Sequence, residues 1–347
     1  MRAAPLLSAL ATAVPRYRLD QRAVIARVRA LFDGVNGLER LLGVFANSGI
    51  STRYSCLPLD WYDQPHGWRE RNRVYIDNAL ELLATTTDRV LARARLAPTA
   101  IDAVVVVSTT GIATPSLDAL LIERVGLRRD VRRLPVFGLG CAGGVIGLAR
   151  AAEAAVANPG QNVLFLVVEL CTLWFRRDGT KSNIVATALF GDGAAGALLS
   201  TDGAGPALVA SGEYSWPGSR DIMGWDIAED GLRAVFSRDI PQFVATELGL
   251  VVRAFLARHG LRLHDIDRFV CHPGGAKVVT ALETAFELNP GALAGARQVL
   301  RDYGNMSAAT VLFVLEQMLA AAPSWRRALL TGLGPGFSAG FVLLENR

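Results

Sequence analysis

Residues 95–111, RLAPTAIDAVVVVSTTG, and residues 260–275, GLRLHDIDRFVCHPGG, carry the same signals in the same order, and their reading decides the fold. Each leaves a helical stretch, passes an Ile-Asp pair, enters a short apolar run and stops at a glycine turn. Before the first, Glu70 to Ala94 spaces apolar residues among charged ones as an amphipathic helix does, and before the second Val251 to His259 does likewise. Ala103 to Val107 is an almost purely β-branched run, the mark of a buried strand, and Arg268 to Cys271 is its counterpart. Ile101 and Ile266 stand 165 residues apart. Self-similarity at one fixed offset predicts an internal duplication.

The same offset sets LGCAGGVIGLA at 139–149 beside YGNMSAATVLFVL at 303–315, each a tight glycine turn followed by a helix of small residues. NVLFLVVEL (162–170) with FGDGAAGALLS (190–200) is likewise echoed by RRALLTGLGPGFSAGFVLLE (326–345) as strand, glycine loop and strand. Strands apolar on both faces need helices on both faces, so the fold class is α/β, with halves at residues 1–203 and 204–347 sharing an interface. Ligands of such proteins gather at loops on that kind of junction. Ser51 to Arg69, Phe175 to Asn183 and Glu213 to Arg233 are aromatic or polar and weakly periodic, as cavity walls and lids are.

With 51% hydrophobic residues, 20% charged and 34 glycines against 15 prolines, the 347-residue chain reads as a large buried core. Its net charge of +4 rests on scattered pairs such as Arg128-Arg129, Arg132-Arg133 and Arg176-Arg177, with no basic stripe to indicate nucleic acid. Four cysteines, Cys56, Cys141, Cys171 and Cys271, form no CxxC unit, so a reducing cytoplasm is the expectation and no metal site is. The run after Arg2 is broken by Pro5 and Ser8, which favours an opening strand over a signal peptide. No segment combines 18 uninterrupted apolar residues with membrane-type flanks, so no membrane span is expected.

Cys141 lies between Gly138-Leu139-Gly140 and Ala142-Gly143-Gly144, ahead of a helix from Val145 to Ala157. Free N–H groups and the dipole at a helix head favour a thiolate, and small neighbours admit an acyl group. His272 ends its strand and opens His-Pro-Gly-Gly, placed to act as base or hydrogen-bond donor; His259 and His264 fall in a helix end and its turn. Asn305 is read as the residue of the second half that answers Cys141, and its amide can donate to a thioester oxygen. Ser307 is positioned to cap the next helix. Glu169 and Asp192 read as buried, hydrogen-bonded structural carboxylates.

Five motifs spread along the chain, FGLGCAGG (137–144), TALFGDGAA (187–195), CHPGGAK (271–277), YGNMSAATV (303–311) and GLGPGFSAG (332–340), resemble those of type III polyketide synthases, the chalcone synthase superfamily. STTGIATPSLDA, VELCTLWFRRD and MGWDIAEDGLRAVFSRDIP are most similar to bacterial alkylresorcinol and alkylpyrone synthases. The resemblance implies a homodimer of thiolase-like αβαβα subunits that loads an acyl-CoA and extends it with malonyl-CoA, with no permanently bound cofactor.

Residue by residue, the resemblance makes Cys141 the nucleophile, with His272 and Asn305 holding its thiolate and stabilising thioester oxygen and enolate. Phe190 is its gatekeeper. Cys171 and Trp174 line its elongation cavity, Trp174 in place of a smaller residue, and Thr114 takes the position of a methionine that reaches the partner's cavity. Ala234 stands where a second gate phenylalanine is common, which implies a single-gated entrance. Trp225 is a further wall, and Leu333, Gly334 and Pro335 form the loop behind the cyclisation pocket. At the CoA end only Arg40 aligns, Gly43 and Asn47 being uncharged; Lys277 is placed to help, Ser307 is grouped with them, and an acyl carrier protein is an alternative donor. The order Cys, His, Asn also occurs in papain-like proteases, whose cysteine lies near the mature N-terminus. A single-condensation β-ketoacyl synthase of the same fold and a silent acyl-binding member are the other readings.

Overall fold

The computed structural model describes residues 4–34, 37–321 and 324–346. Among them the strands are β1 (Leu6–Ala13), β2 (Tyr17–Asp20), β3 (Thr52–Ser55), β4 (Ala103–Val107), β5 (Arg132–Val136), β6 (Val163–Leu170), β7 (Asp192–Ser200), β8 (Ala207–Ser215), β9 (Met223–Ala228), β10 (Gly231–Phe236), β11 (Arg268–Cys271), β12 (Arg327–Gly334) and β13 (Ser338–Glu345). Nine of these join in the order β11-β12-β13-β8-β1-β7-β6-β4-β5. β4 runs parallel to β5 and β6, and β11 parallel to β12; the other pairs in this sheet are antiparallel. The first-half and second-half strands meet through a single pair, Leu6 with Ala207.

The uniform apolarity of these strands has the predicted cause. Along β4, Val105 and Val107 enter the core around the Gly143–Ala157 and Thr310–Ala321 helices, whereas Val104 and Val106 enter the core beneath the Trp68–Ala94 helix. β6 divides the same way, Phe165 and Val167 to one side and Leu164, Leu166 and Val168 to the other. Period-two alternation survives, but both faces are apolar because both are covered. On the far side Phe255, of the Gly249–Ala257 helix, stacks on Phe341 of β13. The layers are therefore helix, sheet, helix pair, sheet and helix, the thiolase-like αβαβα arrangement.

The two central helices approach closely because the first carries glycines where they meet. A Cβ on Gly144 would lie 2.1 Å from the Ala308 carbonyl oxygen. Each helix is preceded by a single 3₁₀ turn, Gly140–Ala142 and Ser307–Ala309, and the first residue of each has φ +47°. The turns therefore correspond 167 residues apart, which corrects one expectation: Ala308 answers Cys141, and Asn305 lies three residues earlier. The strand-loop-strand echo also differs in detail. β12 and β13 are joined by a tight turn, while β6 and β7 enclose the Cys171–Trp174 turn and the Lys181–Leu189 helix.

The opening strand is present as β1. Helices Gln21–Leu31, Leu38–Ala46 and Lys181–Leu189 form a separate small core beside the body, around Val24, Val28, Phe45 and Ile184. Two helical stretches, Gly140–Ala157 and Ile240–Ala257, are long and apolar enough to cross a membrane. The first is 72% buried, packed between the sheets.

Candidate active site

Three chain segments distant in sequence end at one cavity of about 480 Å³, which Cys141, His272 and Asn305 all line. Cys141 sits in the Gly140–Ala142 turn, backed by the β12–β13 loop. A Cβ on Gly140 would strike the Pro335 ring, and one on Gly332 or Gly334 would press on Cys141 or Ala142, so this loop holds the cysteine turn from behind. Leu333 lines the cavity itself. His272 follows the last residue of β11, its N–H donating to the Thr331 carbonyl at 2.9 Å. Both of its ring nitrogens are buried without a protein partner, leaving them for a ligand.

Asn305 is held by a bridge to Phe190, its N–H donating to Leu189 O at 2.9 Å and its carbonyl accepting from Gly191 N–H at 3.0 Å. Its side-chain oxygen accepts from the Ser307 N–H at 2.8 Å. With the oxygen engaged, the amide NH₂ is the end left for the cavity, where it donates to the Gly274 carbonyl at 3.3 Å and faces the Cys141 sulfur. Ser307 does not cap the helix or line the tunnel. Its hydroxyl accepts from the Cys141 thiol at 3.6 Å, and the short turn at φ +47° aims it there.

Burial pushes the Cys141 thiol up to about 12 and the His272 imidazole down to about 4. Each group alone is therefore neutral near pH 7. Passing the proton from sulfur to ring makes two opposite charges whose attraction offsets part of that burial cost. Glu169 lies behind this pair, accepting from Thr109 N–H at 3.0 Å and the Thr110 hydroxyl at 2.8 Å, its carboxyl raised to about 7 by burial. Asp192 accepts from Cys56 N–H and from the Thr172 N–H and hydroxyl. Both carboxylates are buried and hydrogen-bonded, as their sequence context implied.

Phe190 lines a second, apolar chamber together with Cys171, Trp174, Trp225 and Ala234, while its neighbours Leu189 and Phe236 line the first cavity. Phe190 does not stand alone at this position. β9 and β10 pair Ala234 with Trp225 and Phe236 with Met223, so Phe236 falls two residues along on the same face as Ala234. Its ring centroid is 5.7 Å from that of Phe190, as is Trp225's. Trp174 anchors the chamber floor: its indole N–H donates to Thr110 O at 2.6 Å and its ring fills the space that a side chain on Gly231 would need. Thr114 is exposed and lines neither cavity of this single chain.

Arg40, Gly43, Asn47 and Lys277 all border the outer part of the first cavity. Two cations missed in the sequence, Lys181 and Arg238, stand there too. Arg238 lies in the MGWDIAEDGLRAVFSRDIP stretch, after the β9–β10 hairpin, and Lys181 opens a helix outside the quoted motifs; only the fold gathers them.

Comparison with known proteins places these features. Residues 20–207 match the family model described as FAE1/Type III polyketide synthase-like protein, and residues 207–345 match the chalcone and stilbene synthases, C-terminal domain. The chain belongs to the type III polyketide synthases. It is 38% identical to 1,3,6,8-tetrahydroxynaphthalene synthase of Streptomyces peucetius subsp. caesius over 98% of this chain and 92% of that one. The crystal structure of the Streptomyces coelicolor 1,3,6,8-tetrahydroxynaphthalene synthase superposes with a TM-score of 0.94 at 29% identity, covering 99% of both chains. That of PKS-I from the brown alga Ectocarpus siliculosus gives 0.94 at 26% identity, covering 100% and 99%. This type III polyketide synthase is thus a condensing acyltransferase acting on acyl-CoA and malonyl-CoA thioesters.

Proposed function

We propose that this enzyme loads a fatty acyl group on Cys141, extends it several times with malonyl-CoA and closes the chain to an alkylpyrone or alkylresorcinol. The apolar chamber behind Phe190 carries this reading, because a saturated tail needs an apolar wall away from the reacting carbon. His272 takes the thiol proton as the sulfur attacks the starter thioester and CoA leaves. Malonyl-CoA then loses carbon dioxide, and its enolate oxygen accepts hydrogen bonds from His272 and the Asn305 amide. The enolate carbon attacks the Cys141 thioester, a carbon–carbon bond forms, and the cysteine departs as thiolate. The lengthened CoA thioester returns to Cys141 for the next round. Phe190, Phe236 and Trp225 exclude water meanwhile, which favours condensation over hydrolysis.

Four exposed cations, Arg40, Lys181, Arg238 and Lys277, meet the CoA phosphates. They favour CoA over a carrier protein as acyl donor. The working unit is a homodimer in the cytoplasm. β5 is an edge strand with one side unpaired, and Ile112, Leu134 and Phe137 are exposed beside it at 48%, 43% and 60%. An exposed apolar edge of this kind is what a second copy covers, and Thr114 lies in the loop next to Ile112. The test is product analysis with a fatty acyl-CoA and labelled malonyl-CoA. Cyclised products containing several malonyl units are expected; release of a once-extended acid alone refutes the reading.

A further inference from the structure

The Lys181–Leu189 helix lines both cavities, the first through Lys181, Val185 and Leu189 and the second through Asn183, Ala186 and Thr187. It ends at Phe190, and a helix end leaves its last carbonyls without partners inside the helix. Here each is accounted for. The Phe190 N–H donates to the Ala186 carbonyl at 2.9 Å, and the Asn305 N–H to that of Leu189. Those of Thr187 and Ala188 accept from the Arg53 guanidinium at 2.5 and 2.6 Å, and the Phe190 carbonyl just beyond accepts from it at 2.7 Å. A further bond runs from Arg53 to the Gln21 side-chain oxygen. Burial pulls the guanidinium down to about 10, so it meets the negative end of the helix as a cation at neutral pH.

The strand that carries Arg53, β3, is tied to the other half of the molecule. The Ser51 N–H donates to the Arg301 carbonyl at 2.8 Å, the Thr52 hydroxyl donates to that of Asp302 at 2.7 Å, and Tyr54 stacks on Tyr303. These contacts hold the end of the Ala294–Tyr303 helix, from which Gly304 and Asn305 follow. The stem of Arg53 lies under the join itself: a Cβ on Gly191 or Gly304 would come within 3.3 or 3.4 Å of the Arg53 Cβ. We infer that Arg53 is a positioning residue, fixing Phe190 and the Asn305 amide in one register so that malonyl-CoA loses carbon dioxide only where its enolate can reach the Cys141 thioester. Out of that register the enolate carbon takes a proton from water, and malonyl-CoA ends as acetyl-CoA and carbon dioxide with no carbon–carbon bond formed. A planar fork of donors suits several fixed carbonyls at once, whereas the lysine ammonium offers fewer donors on a flexible stem. The role holds for any acyl starter.

Arg53→Lys keeps the charge and most of the stem and removes the fork. With hexanoyl-CoA as starter and malonyl-CoA labelled in its free carboxyl, the carbon dioxide released is compared with the carbon–carbon bonds found in the products, and acetyl-CoA is measured by mass spectrometry. The kcat of condensation should fall about tenfold, and carbon dioxide per bond formed should rise about threefold over the parent, with acetyl-CoA making up the difference. Alkylation of Cys141 by iodoacetamide should stay within about twofold of the parent rate, because the helix head that carries the thiol is untouched. Gln21→Met removes one acceptor of the guanidinium and leaves the cation, and should raise the same ratio by a smaller amount, which also serves should Arg53→Lys not fold. A ratio equal to the parent's in the folded variants overturns the role of Arg53. So does Cys141 alkylation that falls in step with condensation, the mark of a site loosened as a whole.

Discussion

Replacing Gly144 by alanine adds one methyl where the two central helices touch. That methyl would meet the Ala308 carbonyl oxygen at 2.1 Å and Val311 Cγ1 at 2.7 Å, where ordinary contact begins at 3.4 Å. A backbone carbonyl in a buried turn cannot rotate aside, so the helices must part by about 1 Å, and overpacking of this kind costs about 1–3 kcal/mol. The rigid partner puts the cost near the upper figure, a fall in Tm of roughly 6 °C. Ala308 adjoins Ser307, whose hydroxyl meets the Cys141 sulfur, so the same displacement reaches the site and should lower kcat about 100-fold. Gly295→Ala is the control: that exposed glycine, in the Ala294–Tyr303 helix, has nothing within 4 Å of an added Cβ and should gain about 0.5–1 kcal/mol. Thermal unfolding and malonyl-CoA turnover on both variants decide the matter. A Gly144→Ala protein with Tm within a degree of the parent and turnover within twofold refutes this account of the helix contact.

Two further outcomes concern protons. His272→Gln removes the group that receives the thiol proton, so Cys141 alkylation by iodoacetamide should rise only at higher pH than in the parent; superimposable pH profiles would exclude His272 as the acceptor. Glu169, raised to about 7 when folded against an ordinary unfolded value of about 4.3, contributes stability that is present below pH 4.3 and is lost as pH rises through 7, on the order of 3 kcal/mol. Glu169→Gln should therefore gain stability over the parent between pH 5 and pH 8 in urea melts. Asp192 and His272 titrate in both proteins, so the difference isolates Glu169, and a constant difference across that range would mean its carboxyl is not raised.

The elements that bury both faces were legible because composition alone marks them: β4 and β11 have the expected bounds, β6 starts one residue later than expected, and the helix after Cys141 begins two residues earlier than its first apolar side chain suggested. The convergence of Cys141, His272 and Asn305 was legible because each sits in a glycine turn at the end of a duplicated element. Their pairing was not. Ile101 and Ile266 fix one offset, while loop lengths between the sheets shift the later turns to another, so Asn305 lies ahead of the residue matching Cys141. Phe236 escaped notice because a two-residue step along a strand moves a side chain without changing its face, and an alignment by position sees only Ala234. Lys181 and the Gln21–Leu31 helix belong to no motif, and nothing within the MGWDIAEDGLRAVFSRDIP stretch marks Arg238 as a cation of the first cavity; long-range packing alone brings them to the cavities.

The place of β1 between β7 and β8 bears on how the chain is made. β1 leaves the ribosome well before its partners, since both of its neighbours lie at residues 192–215. At about 5–20 residues per second, the segment LLSALATA waits on the order of 10–40 s before either neighbour exists. Until then it is an apolar strand with two open edges, and the midline of the sheet cannot close. Slower elongation beyond residue 13 should lengthen that exposure and increase aggregation of nascent chains, whereas a finished chain refolding from urea meets all three strands at once.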